Sequence, residues 1–145
     1  MTGPGGRPGA GTVLGFDFGT QRIGVAAGQG ITATAHAVAV LPARDGKPDW
    51  QAVTRLLAEW RPEALVVGLP LNMDGTEQEL TRLARRFGRQ LAGRYNLPVY
   101  EMDERLTSVE ARQNLGRYHP DTAVDDEAAR LILESWLAEQ RTDEA

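Results

Sequence analysis

Apolar residues in the first third of the chain form the short blocks typical of β-strands. The most strongly apolar block, at 13–18, has the sequence Val-Leu-Gly-Phe-Asp-Phe, and a polar turn separates it from a second block at 23–27. A third block, Thr32–Leu41, alternates small and apolar residues. The segment that follows, 42–48, is polar and is expected to be a loop. The pattern therefore predicts three antiparallel strands in a meander.

Two later segments carry apolar residues at the three- and four-residue spacing of an amphipathic helix. The first is Trp50–Trp60 with Asp49 as its expected N-cap, and the second is Glu77–Tyr95 with Thr76 as its expected N-cap. A short apolar block follows each helix, at 64–68 and at 99–102, as in buried parallel strands. A short helix at 108–115 and a final helix at 125–138 complete the prediction.

The order of these elements predicts an α/β protein with a single mixed sheet of five strands flanked by helices. The first three strands are antiparallel and the last two are parallel to the first, so the first strand lies centrally. Ligands of open α/β sheets bind beyond the carboxyl ends of the parallel strands. Acidic residues from three distant segments are therefore expected at this edge: Asp17, Asp74 and the pair Asp103–Glu104.

Length and composition agree with one globular domain, expected at 12–140. Residues 1–11 are rich in Gly and Pro and predict a disordered leader, and residues 141–145 form a charged tail. No apolar run approaches the ~18 residues of a membrane span, and the N-terminus lacks the layout of a signal peptide. We therefore expect a cytoplasmic protein that does not enter a membrane. The absence of Cys excludes disulfides, thiolate metal sites and a Cys nucleophile.

Asp17 is the first candidate for chemistry, because an unpaired carboxylate is costly to bury within an apolar strand. Glu104 or Asp103 could supply a second carboxylate, and Asp125 at the start of the last helix a third. Oxygen ligands without His or Cys suit Mg²⁺ or Mn²⁺, and two such ions can activate a water and stabilise the leaving oxygen of a phosphodiester. Structural alternatives exist: Asp17 could cap a turn, Asp125 could cap the helix, and Asp103 or Glu104 could pair with Arg105.

Arginine placement suggests where a nucleic acid would lie, although the net charge of −4 argues against a general nucleic-acid binder. One helix face carries four arginines, which could follow a phosphate backbone or simply form a solvated face paired with Glu79. Two more arginines lie beside the carboxylates and could clamp a phosphate, or Arg105 could brace the carboxylates. Polar side chains nearby could donate to phosphate. The candidate binding residues are Arg22, Asn72, Arg82, Arg85, Arg86, Arg89, Arg105 and Thr107.

Four segments closely resemble, in order, the motifs of the bacterial YqgF/RuvX family. They are Gly-Phe-Asp-Phe-Gly-Thr-Gln-Arg-Ile-Gly-Val-Ala at 15–26, Val-Val-Gly-Leu-Pro-Leu-Asn-Met-Asp-Gly-Thr at 66–76, Asp-Glu-Arg-Leu-Thr-Ser at 103–108, and Val124-Asp125 followed by Ala128-Ala129 and Leu-Ile-Leu-Glu at 131–134. The resemblance spans roughly 13–137. It departs from the family pattern at Asp126 and Glu127, whose charges could repel a substrate or offer an alternative ligand.

The resemblance implies a ribonuclease H-like fold related to RuvC-type Holliday junction resolvases. It implies a metal-dependent nuclease that matures the 5′ end of pre-16S ribosomal RNA, with junction resolution as the other proposed role. The acidic residues implied by position are Asp17, Glu104 and Asp125. The expected partner is pre-rRNA or branched DNA, and junction resolution would require a homodimer. A non-catalytic module that binds nucleic acid or protein is the alternative from another functional class.

Overall fold

The computed structural model of the protein describes residues 11–30, 33–106 and 127–144. Its strands are β1 (Thr12–Phe18), β2 (Arg22–Gln29), β3 (Thr34–Arg44), β4 (Lys47–Pro48), β5 (Ala64–Leu69) and β6 (Val99–Asp103). Its helices are α1 (Trp50–Trp60), α2 (Glu79–Tyr95) and α3 (Glu127–Glu144), with a 3₁₀ turn at Glu104–Leu106. The predicted helix at 108–115 and residues 1–10 of the predicted leader lie outside the described residues.

The sheet confirms the predicted mixed topology, in the order β4-β3-β2-β1-β5-β6. β1, β2 and β3 pair antiparallel, whereas β5 is parallel to β1 and β6 is parallel to β5. The expected number of five strands is too low by one, because the predicted loop at 42–48 contains a tight hairpin. Asp45 and Gly46 adopt left-handed backbone angles, with φ of 52° and 81°, and let β4 pair with the end of β3.

Helices cover both faces of the sheet, and each face has its own apolar core. Side chains of α1 and α2 pack on the face that carries Leu14, Phe16 and Phe18. α3 packs on the opposite face, where Gly15 lets it approach so closely that an added Cβ would lie 2.8 Å from Leu133 Cβ. Leu137, one turn later in α3, packs over Gly28 of β2, which pairs with Val13 near the start of β1. The first turns of α3 therefore point towards the carboxyl end of β1.

Local capping explains where the helices begin and end. Asp49 is the N-cap of α1, as predicted, and its Oδ1 accepts from the N–H groups of Gln51 and Ala52. The prediction of Thr76 as the N-cap of α2 is wrong: Gln78 holds that position, and its N–H donates to Thr81 Oγ1. Thr76 bonds to Asp74 instead.

Two element ends lie further along the chain than the sequence pattern predicts. β3 continues to Arg44 rather than Leu41, and α3 continues to Glu144 rather than 138. Neither extension contains a large apolar residue, so hydrophobic periodicity alone could not detect them. Within the described ranges, no helix has the length and apolar character needed to cross a membrane.

Candidate active site

Asp17 lies at the carboxyl end of β1, on the sheet face that α3 covers. Its neighbours Phe16 and Phe18 point to the opposite face, so Asp17 shares a face with Gly15. The side chain is half-buried. Gly24 lies opposite Asp17 on β2, and the β1–β5 register, which pairs Phe16 with Val67, brings Gly68 to the same level on β5. Glycines therefore flank Asp17 on both neighbouring strands, and Ile132 of α3 packs directly over Gly68.

Glu104 approaches this part of the sheet from the end of β6. Its Oε2 lies over Gly68, only 2.9 Å from the position that a Cβ on Gly68 would occupy. Neighbouring strands of a sheet are about 4.8 Å apart, so the carboxylate over Gly68 is close to Asp17 on the adjacent strand. The structure thus brings together two of the three acids predicted as catalytic. The third, Asp125, lies outside the described residues.

Asp103 points to a different set of partners. The Arg105 guanidinium donates from Nε to both carboxylate oxygens and from Nη2 to Oδ2 at 2.8 Å, and the Arg105 N–H also bonds to Oδ1. The side-chain bonds to Arg105 hold the pKa of Asp103 below its ordinary value. Of the two acids proposed for the second ligand position, Glu104 is therefore the one that approaches Asp17, and Asp103 forms the ion pair that the sequence left as an alternative.

Arg105 also fastens the loop that follows β5. Its Nη1 donates to the carbonyl oxygen of Met73 at 3.1 Å, and the guanidinium passes over Gly75, whose φ of 91° and missing Cβ leave the space. The predicted phosphate ligand Asn72 is occupied within this loop: its Nδ2 donates to Thr76 Oγ1. Arg105 therefore links the Asp103 carboxylate to the loop that follows β5.

The stability of the Asp103–Arg105 pair should depend on pH. Because the pKa of Asp103 is lowered on folding, the pair stabilises the protein above about pH 4 and loses its effect as the pH falls through the depressed pKa. We expect Asp103→Asn to reduce the free energy of unfolding by at most about 1 kcal/mol at pH 7, and this difference from the wild type to shrink as the pH falls below about 4. Urea unfolding from pH 2 to 7 measures this difference, and a constant offset over the range would contradict the assignment.

No three His, Asp or Glu side chains form a metal-ligand group within residues 11–30, 33–106 and 127–144. The donors that are described, two carboxylates without His, are nevertheless the type that Mg²⁺ and Mn²⁺ accept. Asp17 and Glu104 both make further polar or charged interactions in the structure. The pair therefore fits a divalent cation, and the ligand set would need the predicted third acid from the segment that precedes α3.

The charge of Glu127, which departs from the family pattern, is partly balanced within α3. Its Oε1 accepts from Nε of the buried Arg130 at 2.8 Å, and Arg130 Nη1 donates to Glu134 Oε1 at 3.0 Å. Burial lowers the pKa of Arg130, but the hydrogen bond to Glu127 and the charge of Glu134 raise it overall. Glu134 also accepts from the N–H of Ala35 and ties α3 to β3. This observation favours a structural role for Glu127 over that of an alternative ligand.

The four-arginine face of α2 lies across the sheet from Asp17 and Glu104, because α2 packs on the other face. Half of its charge is matched by acids: Arg82 pairs with Glu79 at 3.0 Å, and Arg85 pairs with Glu77 and Glu101. Arg86 and Arg89 are exposed and have no ion-pair partner among the described residues. A nucleic acid that contacts both regions would have to pass around the β6 edge.

Replacing Arg86 and Arg89 together by Gln should lower the affinity for nucleic acid and make that affinity depend less steeply on salt concentration. Each phosphate contact contributes about 0.9 to the slope of log K against log salt for duplex DNA, so the slope should fall by nearly 2. Arg82→Gln is the matched control, since Glu79 already balances that charge. Binding isotherms at several salt concentrations measure the slopes. A double variant with the wild-type slope would mean that this face is only solvated.

Arg22 and Thr107 are the remaining two residues predicted to contact nucleic acid. Arg22 begins β2, is exposed and lies at the same end of the sheet as Asp17. It has no ion-pair partner in the described part of the chain. Thr107 falls outside the described residues. Two residues near the site were not predicted: Gly68, over which Glu104 lies, and Arg130, which pairs with Glu127. Gly68 belongs to the second motif, but only the sheet register shows that it neighbours Asp17.

Comparison with solved structures defines the class of fold. RuvC from Thermus thermophilus, solved in complex with a Holliday junction substrate, superposes with a TM-score of 0.59 at 18% identity, over 92% of this chain and 96% of that one. At this identity the likeness shows the fold alone. The protein therefore has the ribonuclease H-like fold of the RuvC-type resolvases, as the sequence resemblance implied.

Sequence comparison gives the family. A family model described as "RuvX: Holliday junction resolvase" matches residues 11–139. A relative from Hydrogenovibrio crunogenus is 53% identical over 131 residues, covering 90% of this chain and 96% of its own length. A relative from Yersinia pestis is 55% identical over 134 residues, covering 89% and 96%. Both carry the name "Putative pre-16S rRNA nuclease". The chain belongs to the RuvX family.

Proposed function

We propose that the protein is a metal-dependent nuclease that hydrolyses phosphodiester bonds in structured nucleic acid, at the carboxyl edge of β1, β5 and β6. The observation that supports this proposal most directly is the approach of two carboxylates from distant segments. Asp17 lies beside Gly68, and the carboxylate of Glu104 lies over the same glycine. Carboxylate oxygens are ligands that Mg²⁺ and Mn²⁺ accept, and a cation bound at this edge would contact both segments.

Asp17, Glu104 and Asp125 would hold the metal, with Mg²⁺ or Mn²⁺ as the expected ions and two ions as the expected number. When bound, such ions supply an activated water and stabilise the charge that develops on the leaving oxygen. The role of the chain is to place the acids: β1 and β6 position Asp17 and Glu104, and the missing side chain at Gly68 lets both Glu104 and Ile132 approach the sheet. Asp103 is neutralised by Arg105 and would act by bracing the edge of the site.

The 5′ end of pre-16S rRNA is the substrate that we propose, with the cytoplasm as the site of action. This choice is supported by the names of the relatives, "Putative pre-16S rRNA nuclease", which are more than 50% identical to this chain over nearly their whole length. Carboxylate–metal sites act on the phosphodiester and not on the base, so additional contacts must select the strand and position to be cut. Arg22, exposed beside the site, is one candidate for a phosphate contact.

Resolution of four-way DNA junctions is the second candidate function. It is supported by the description of the family model and by a fold shared with a RuvC structure that holds a Holliday junction. This reaction requires two active sites on one junction and hence a homodimer. Molar mass measured by light scattering, with and without junction DNA, addresses that requirement.

A side-by-side cleavage assay separates the candidates. Purified protein is incubated with precursor rRNA carrying the 5′ extension and with a four-way DNA junction, each with Mg²⁺, Mn²⁺ or EDTA. We expect metal-dependent cleavage of the rRNA precursor near the mature 5′ end and no cleavage in EDTA. Preferential cleavage of the junction would favour the second function. Binding of either substrate without metal-dependent cleavage would support the non-catalytic module.

A further inference from the structure

Two large apolar side chains are exposed beside the candidate active site. Met73 is 93% exposed and Leu106 is 60% exposed, whereas Val40 and Tyr100, the other exposed large hydrophobics among the described residues, are each 39% exposed. A methionine left in water forgoes most of the stabilisation that burial of its side chain would give. The exposed Met73 side chain is therefore available to contact a bound molecule.

Arg105 holds these two side chains at the same edge. Its Nη1 donates to the carbonyl oxygen of Met73, and Leu106 is the next residue in the chain. Glu104, whose carboxylate lies over Gly68, directly precedes Arg105. Met73 follows the end of β5 by only four residues. The exposed pair thus lies next to the carboxylates proposed to cleave the substrate.

The loop that carries Met73 is fixed by hydrogen bonds. The N–H of Gly75 donates to the carbonyl of Asn72, and the N–H of Asn72 donates to the carbonyl of Thr76. Asp74 Oδ1 accepts from both the N–H and the hydroxyl of Thr76. These bonds use backbone atoms and neighbouring side chains, and leave the Met73 side chain at the tip. The exposed methionine is therefore held on a preorganised turn.

The charges around this tip indicate which part of a substrate it meets. The Arg105 guanidinium is occupied by Asp103 and by a carbonyl, and the Asp74 carboxylate is repulsive to phosphate. A phosphate is therefore a poor partner for the tip, whereas a nucleobase offers an apolar face. Methionine and leucine are among the side chains that proteins insert between bases to unstack them.

We propose that Met73, supported by Leu106, is an apolar wedge that contacts an unstacked base of the nucleic-acid strand next to the cleaved bond. This inference rests on the proposed nuclease function and adds a specificity determinant to it. The wedge would favour substrates whose bases can leave the stack at the cleavage position. Unpaired or distorted positions lose less stacking on opening, so they should be cut faster than continuous duplex.

The test uses two substitutions that preserve the backbone contact to Arg105. Met73→Gln keeps the length of the side chain but removes its apolar character, and Met73→Leu keeps the apolar character. The cleavage rate of each protein is measured on a fully paired RNA stem and on the same stem with an abasic position beside the cleaved bond. A four-way DNA junction is the DNA substrate. We expect Met73→Gln to cut the paired stem about tenfold to a hundredfold more slowly, with recovery on the abasic stem and near-normal rates for Met73→Leu.

A fluorescence measurement separates the wedge from catalysis. The fluorescence of 2-aminopurine increases when the base leaves the stack, so the probe is placed beside the cleaved bond in the RNA stem and in the DNA junction. Binding is measured with the Asp17→Asn variant to prevent cleavage. We expect brightening on binding that is lost when Met73→Gln is added. Brightening of only one of the two probes identifies whether RNA or DNA supplies the base.

The two proposals can fail separately. Brightening that depends on Met73, with no metal-dependent cleavage by the wild type, would overturn the nuclease and retain the wedge. Cleavage and brightening that are unchanged in Met73→Gln would overturn the wedge, retain the nuclease and leave the exposed pair as a surface for protein contact. Absence of both binding and cleavage by the wild type would overturn both proposals.

Discussion

Replacing Asp17 by Asn is expected to slow cleavage by about a thousandfold or more while leaving the fold intact. The substitution preserves the shape of the side chain but removes the charge that would hold a cation at the centre of the site. Metal ions contribute several kcal/mol to stabilising the charge of such reactions, and every ~1.4 kcal/mol corresponds to a tenfold change in rate. Single-turnover cleavage of precursor rRNA gives the rate, and circular dichroism with thermal unfolding verifies the fold.

Asp45→Asn is the matched control for this experiment. It removes the same charge from an exposed residue at the tip of the β3–β4 hairpin, where φ is 52° and Asn is well tolerated. We expect it to retain the wild-type rate. Equal rates for the Asp17 and Asp45 variants, in preparations free of contaminating nuclease, would remove Asp17 from the reaction.

Adding one methyl group at Gly68 is expected to impair both stability and cleavage. An alanine Cβ would overlap Cδ1 of Ile132 on α3 and lie 2.9 Å from Glu104 Oε2. Overpacking of this kind costs about 1–3 kcal/mol of stability, and displacement of Glu104 should lower the cleavage rate by about a hundredfold. Thermal unfolding and cleavage at a temperature where the variant remains folded measure the two effects.

Two further variants separate these effects. Gly93→Ala, on the exposed face of α2 with nothing within 4 Å of the added Cβ, should be neutral or stabilising. Combining Gly68→Ala with Ile132→Val removes the overlapping Cδ1 and should restore part of the stability but not the cleavage rate. Full recovery of cleavage in the double variant would mean that the space over Gly68 serves packing alone and not the position of Glu104.

Much of the sheet could be predicted because its strands carry distinct hydrophobic patterns. β1 and β5 are short apolar blocks, and α1 and α2 keep helical spacing, so the element order and the central position of β1 followed from the sequence. β4 could not be predicted in this way, because its pairing depends on the left-handed backbone at Asp45 and Gly46 and not on any apolar residue. The predicted N-cap Thr76 was wrong because its hydroxyl and N–H both donate to Asp74 Oδ1, and α2 begins further along the chain.

The candidate site was only partly predictable for a related reason. Sequence topology indicates which strand ends meet, and in the structure Asp17 lies at the end of β1 and Glu104 follows β6 at one edge of the sheet. It does not give the choice between Asp103 and Glu104, which depends on the alternation of side chains at the end of β6 and on the bonds from Arg105 to Asp103. The exposure of Met73 likewise depends on a turn whose hydrogen bonds join Asn72, Asp74, Gly75 and Thr76.

Anomalous diffraction from crystals soaked in Mn²⁺ shows whether the two carboxylates bind a cation, because manganese scatters anomalously and replaces magnesium at oxygen sites. We expect strong anomalous peaks beside the carboxylates of Asp17 and Glu104, and their loss in crystals of Asp17→Asn. Crystals that take up Mn²⁺ only at other positions, with the two carboxylates free of metal at saturating concentration, would contradict this expectation.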